Sequence, residues 1–194
     1  MLIRLALETR SQHAGADADR LALLDDPTAA RYRAFLTAVY GFEARYERML
    51  IQTPGLEPRI VRDCARLAHL RNDLRALGLT DGELAALPSP PIPAFRSEGQ
   101  ALGWAYVVER NTLLHGLLRR HLWRLLPREL GQAGTYLAAH ASPGTHYREL
   151  GIDLDAAARR TIPSIIVEAA HAAFACQRLW FAQMRAVEAR RLAS

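Results

Sequence analysis

Leu102-Gly103-Trp104-Ala105-Tyr106-Val107-Val108-Glu109-Arg110-Asn111-Thr112-Leu113-Leu114-His115-Gly116 is an apolar run whose formal charges fall only at Glu109 and Arg110. It is too long for one strand and lacks period-two alternation, so it reads as a buried helix. Ser97 has the side chain that caps a helix start, and Pro127 cannot continue a helix. The expectation is one long helix from Ser97 to Leu126.

Helical periodicity continues on both sides of this run. From Ala29 to Leu50, Phe35, Leu36, Val39, Phe42, Tyr46, Met49 and Leu50 recur at three and four, with Arg31, Arg33, Arg45 and Arg48 on other faces. This predicts an amphipathic helix of about six turns, roughly 33 Å long. A helix over Leu2–Leu24, loosened near Gly15, precedes it, and Asp26-Pro27-Thr28 marks the join. Arg59–Leu77 follows, ended by Gly78, then a short turn over Asp81–Leu87 and a Pro-rich connector from Pro88 to Pro93. A shorter helix is expected over Arg128–Ala141, then a turn at Ser142-Pro143-Gly144. Asp153 opens the last helical region, which Pro163 divides before an apolar stripe of Ile166, Ala169, Ala173, Cys176 and Trp180. The reading is all-α: about seven helices in one bundle, a single domain over residues 1–194.

All 25 cations are arginine, against 20 carboxylates, for a net charge of +5. With no lysine, the chain offers no Schiff base, no phosphate-loop lysine and no amine base. Uniform use of arginine is better explained by coding bias than by a nucleic-acid surface. The densest basic run, Arg119, Arg120, His121, Arg124 and Arg128, lacks the interleaved aromatics of a single-strand binder and reads as a solvated face. Cys64 and Cys176 have no metal-site spacing and fit free thiols in a reducing cytoplasm. The N-terminus turns charged too early for a signal peptide, and the most apolar stretch, Ile162–Cys176, is interrupted by Glu168 and His171. A cytoplasmic protein without membrane or nucleic-acid partners is expected.

No phosphate loop, nucleophile elbow, HExxH zinc motif or dinucleotide fingerprint occurs. One Glu-x-x-His, Glu168 to His171, places both side chains on one helix face as a di-iron bundle would. The second such pair is missing.

The run over 102–116 resembles the distal helix of the bacterial biliverdin-producing haem oxygenases, where Tyr-Val-Leu-Glu-Gly-Ser-Thr-Leu-Gly-Gly is usual. Leu5-Ala6-Leu7-Glu8-Thr9-Arg10-Ser11-Gln12-His13 is similar to that family's first helix. Tyr32–Leu36 with Tyr40-Gly41-Phe42 resembles the second, and Asp73–Leu79 the third. The segment from Ala170 through Phe174 to Trp180 resembles the last helix.

The resemblance implies haem held between a proximal and a distal helix and cut by dioxygen and electrons to biliverdin, carbon monoxide and iron. It implies His13 as the iron ligand, Arg10 and Arg178 as partners of the propionates, and an external reductase as electron donor. On the distal helix, Arg110, Asn111 and His115 would meet bound dioxygen, while Thr112, Leu114 and Gly116 would line the haem face. Here the chain departs from the family. Arg110, Leu114 and His115 stand where glycines let the family's backbone press onto the haem.

Three readings follow. In the first, a remodelled pocket still holds haem: Arg110 or His115 at the bound oxygen favours O–O cleavage, a peroxidase-like outcome, over attack on the ring edge, and His115 on the iron instead blocks oxygen. In the second, Arg110, Leu114 and His115 fill the pocket, Arg110 takes an acidic partner such as Glu43 or Glu109, and another small molecule or a protein is bound. The third, a di-iron oxidase, lacks ligands.

Overall fold

The structure is a computed structural model and describes residues 1–139 and 144–192. Every regular element among these is helical. They are α1 (Leu2–Glu8), α2 (Arg10–Leu21), a 3-10 turn (Ala22–Leu24), α3 (Ala29–Ile51), α4 (Pro58–Asp63), α5 (Leu67–Ala76), α6 (Asp81–Ala86) and α7 (Glu98–Asn111). A second 3-10 turn (Thr112–Leu114) leads to α8 (His115–Leu125), α9 (Pro127–Gln132), α10 (Thr135–Ala139), α11 (Gly144–Arg160) and α12 (Pro163–Leu192). The all-α class is as read from the sequence. The helices are more numerous than seven because several expected ones are divided.

Each division has a side-chain cause. The first helix breaks at Thr9 rather than near Gly15, where the Thr9 hydroxyl donates to the Leu5 carbonyl at 2.7 Å. The helix expected over Ser97–Leu126 tightens at Thr112, whose hydroxyl donates to the Glu109 carbonyl at 2.7 Å. Between α4 and α5, Glu47 of α3 accepts from the Arg66 and Leu67 amides at 2.5 and 2.8 Å and so starts a new helix. Asp73 does the same for α10, accepting from the Thr135 and Tyr136 amides at 2.9 and 2.8 Å. The turn expected at 142–143 lies outside the described residues; Gly144 already belongs to α11.

α7 is the centre of the bundle, with Gly99 and every residue from Ala101 to Glu109 buried. α12 lies against it at a glycine. A Cβ on Gly103 would stand 2.4 Å from the Ile166 carbonyl oxygen and 2.7 Å from the Ala169 Cβ, so only hydrogen permits this approach. On the other side of α12, the Trp180 indole donates to the Ala38 carbonyl of α3 at 2.8 Å. Phe42 of α3 stacks on Trp104 of α7 with centroids 6.3 Å apart, which closes the core between the three helices. α2 lies over α12, where Arg178 crosses Gly15: a Cβ there would come within 2.5 Å of the guanidinium. No helix among the described residues is long and apolar enough to cross a membrane.

Candidate functional site

α2 and α7 carry matching pairs of residues one helical turn apart: His13 and Asp17 on α2, Tyr106 and Arg110 on α7. Four residues is about one turn, so each pair shares a helix face. The pairs meet as two successive rungs. His13 Nε2 lies 3.4 Å from the Tyr106 hydroxyl. One turn on, Arg110 donates from both terminal nitrogens to the two carboxylate oxygens of Asp17, at 2.6 and 2.8 Å. The two-pronged fit of guanidinium to carboxylate fixes orientation as well as distance.

The walls of this cluster come from α12 and α11. Phe174 of α12 holds the His13 ring at 5.5 Å between centroids and meets Tyr106 edge-on at 6.4 Å. Tyr147 of α11 lies 6.3 Å from the Tyr106 ring. Thr9 Oγ1 completes the set, 2.9 Å from His13 Nε2. Burial, and then the Arg110 charge, hold the imidazole below its ordinary pKa, so it is poised to be neutral near pH 7. Burial also pushes the Tyr147 phenol up, with Tyr106 adding to it.

The other residues expected at a distal haem face are engaged elsewhere. Asn111 and Gln177 of α12 exchange amide hydrogen bonds at 2.8 and 3.3 Å. Thr112 is buried, its hydroxyl spent on its own helix. Leu114 is half-buried against the core, and Gly116 sits half-buried in the first turn of α8. His115 is wholly buried, its ring 4.6 Å from Tyr136 of α10. Arg10 is exposed at the start of α2. Arg178 reaches Asp19 of α2 at 3.4 Å and braces α2 on α12.

The acidic partner of Arg110 is Asp17, which corrects the expectation of Glu43 or Glu109. Those two carboxylates already have partners in the core. Glu109 pairs with the buried Arg66, and Glu43 accepts from the Tyr136 hydroxyl at 2.7 Å. Glu43 is held above the usual carboxylate range by burial, with Arg66, Tyr136 and Arg20 pulling the other way. The Glu168–His171 motif assembles no metal site: Glu168 is exposed, and His171 Nδ1 lies 2.7 Å from Gln12 Oε1. No group of three or more potential ligands gathers anywhere among the described residues.

Haem, implied by the resemblance, does not fit this arrangement. It needs a flat space beside His13 Nε2, bounded by α7. That nitrogen faces the Thr9 and Tyr106 hydroxyls, and the rung through Arg110 and Asp17 bridges the same gap one turn away. A macrocycle wider than one helical turn would displace both rungs. A cleft of about 250 Å³ opens instead where the end of α2, the first half of α3 and the last turns of α12 meet. None of the expected site residues lines it.

Comparison with family models, with curated proteins and with solved structures found no match to this chain.

Proposed function

We propose that this chain is a non-catalytic binding protein on a haem-oxygenase-like helical bundle, with its own side chains filling the slot that would hold haem. The observation that carries this reading is the two-pronged contact of Arg110 with Asp17, one turn from His13 and from Tyr106. The arginine replaces a glycine of the resembling family, so it adds bulk where the family has none. It also supplies the charge that draws α7 to α2, and its half-buried setting is compensated by Asp17.

A second reading, haem oxidation, has one observation in its favour. His13, Tyr106 and Phe174 meet in one cluster, although they come from three segments that each resemble the family. On that reading both rungs open to admit haem.

A turnover assay separates the two. Purified protein is incubated in air with hemin and ascorbate, and biliverdin is followed by its visible band. The binding-protein reading predicts no biliverdin above a protein-free control. A biliverdin band that is lost in His13→Ala overturns it.

A further inference from the structure

We propose that the outward face of α12 pairs with the same face of a second copy of this chain, the two helices running antiparallel about Leu179. The surface is separate from the cluster at His13, and the proposal does not rest on the filled-slot reading. The opposite side of α12 is spent on the bundle, with Ile166, Ala170, Ala173, Phe174 and Gln177 buried. Its flanks are spent as well, through Trp180 on α3 and Arg178 on α2. Leu179 stands between them, 73% exposed in the middle of the helix. Ala172, Ala175, Ala182 and Ala186 are exposed along the same side, at the three- and four-residue steps that keep one helix face in line.

Charge decides the occupant. Glu168 lies eleven residues before Leu179 and Arg190 eleven after it. Eleven residues make about three turns, so both charges return to the face that Leu179 occupies. Both are exposed, and among the described residues neither has an ion-pair or hydrogen-bond partner. The charges between them turn elsewhere: Arg178 and Arg185 reach Asp19 at 3.4 and 2.8 Å, and Glu188 lines the cleft toward α2 and α3. The face is therefore uncharged between one anion and one cation placed equally far from its centre.

A two-fold contact requires this arrangement, because residue i meets residue j at one end and j meets i at the other. With Leu179 on the axis, Glu168 of each copy stands opposite the partner's Arg190, and both ends of both helices are answered. Ala172 falls opposite the partner's Ala186, each seven residues from the centre, and such small side chains let the helix axes approach to about 8 Å. A parallel pairing would set each charge against its own kind. Exposed ion pairs add little affinity, so these two fix the direction while Leu179 and its neighbours supply the attraction. A single helix pair belongs at the small end of specific interfaces, about 1,200 Å², so the dimer is a weak one.

Sedimentation velocity, from micromolar to near-millimolar protein, tests this. The wild type should pass from monomer to dimer across that range, and Leu179→Arg should weaken the dimer about tenfold or more. Glu168→Arg and Arg190→Glu each bring like charges together at both ends and should weaken it about fivefold. The two changes combined restore opposite charges and should return the dimer to within about twofold of the wild type. All three positions are exposed, and each variant is checked as folded by circular dichroism. A chain that stays monomeric throughout leaves the face to a different protein and overturns the proposal. So does a dimer that survives Leu179→Arg, or a charge exchange that fails to recover what the single changes lost. None of these outcomes depends on whether hemin binds at His13.

Discussion

Arg110 and Asp17 join α7 to α2 by two parallel hydrogen bonds, at 2.6 and 2.8 Å, one turn beyond the place where Tyr106 approaches His13. The Arg110 side chain is 12% exposed and that of Asp17 27%, so this pair lies between a solvated surface bridge and a fully desolvated one. Its net worth is therefore moderate, while the cost of orphaning either partner is larger.

Arg110→Ala should destabilise the fold by about 1–2 kcal/mol, and Asp17→Asn by somewhat less, because the amide still accepts one hydrogen bond. In a double-mutant cycle by urea denaturation, the two losses should fail to add by about 1 kcal/mol. Strict additivity would show that the contact contributes nothing in solution.

The core pair of Arg66 and Glu109 should be less forgiving. Both side chains are essentially inaccessible, at 0% and 4%, and Arg66→Ala leaves a carboxylate in the core without its cation. The expected loss is about 3–5 kcal/mol, read from the denaturation midpoint. Arg66→Ala with Glu109→Leu should recover a good part of it, since the second change removes the stranded charge.

Gly103→Ala tests the contact that brings α12 against α7. A methyl at that position meets a backbone carbonyl at 2.4 Å, which cannot rotate away as a side chain can. The helices must separate, at a cost of about 1–3 kcal/mol despite the better helix propensity of alanine. Gly82→Ala, where an added Cβ meets nothing within 4 Å, is the matched control and should be neutral or slightly stabilising.

His13 gives stability a pH dependence of definite sign. Its folded pKa lies below the ordinary value of about 6.5, so as pH falls the unfolded chain takes up the proton first. Its stabilising contribution is thus present above about pH 6.5, declines as pH drops through that value, and levels off once folded His13 is also protonated. Between about pH 7.5 and 5.5 the wild type should lose stability relative to His13→Gln. Urea denaturation at the two pH values measures it, and an unchanged difference contradicts the assignment.

What the sequence made legible was whatever depends on neighbours along the chain. The apolar stripe from Phe35 to Leu50 gave α3 within a residue or two, and Ser97 was a sound start for α7, its hydroxyl accepting from the Gln100 amide at 3.3 Å. Pro163 divided α11 from α12 as a proline should. Breaks made from a distance were invisible. Glu47 starts α5 from nineteen residues away, and Asp73 starts α10 from sixty-two, so no local pattern announces either. The same holds at the candidate site. That Arg110 needed an anion followed from its place in an apolar run. That the anion would be Asp17, ninety-three residues earlier, depended on α2 lying alongside α7. The four-residue spacing of Asp17 from His13 was the one signal that could have suggested it.

The filled slot is the central claim, and hemin titration reads it most directly. The wild type and His13→Ala are each titrated with hemin and their visible spectra compared. The account predicts no sharp, shifted Soret band that saturates at one hemin per chain, and no difference between the two proteins. A one-to-one Soret band in the wild type that disappears in His13→Ala would contradict it.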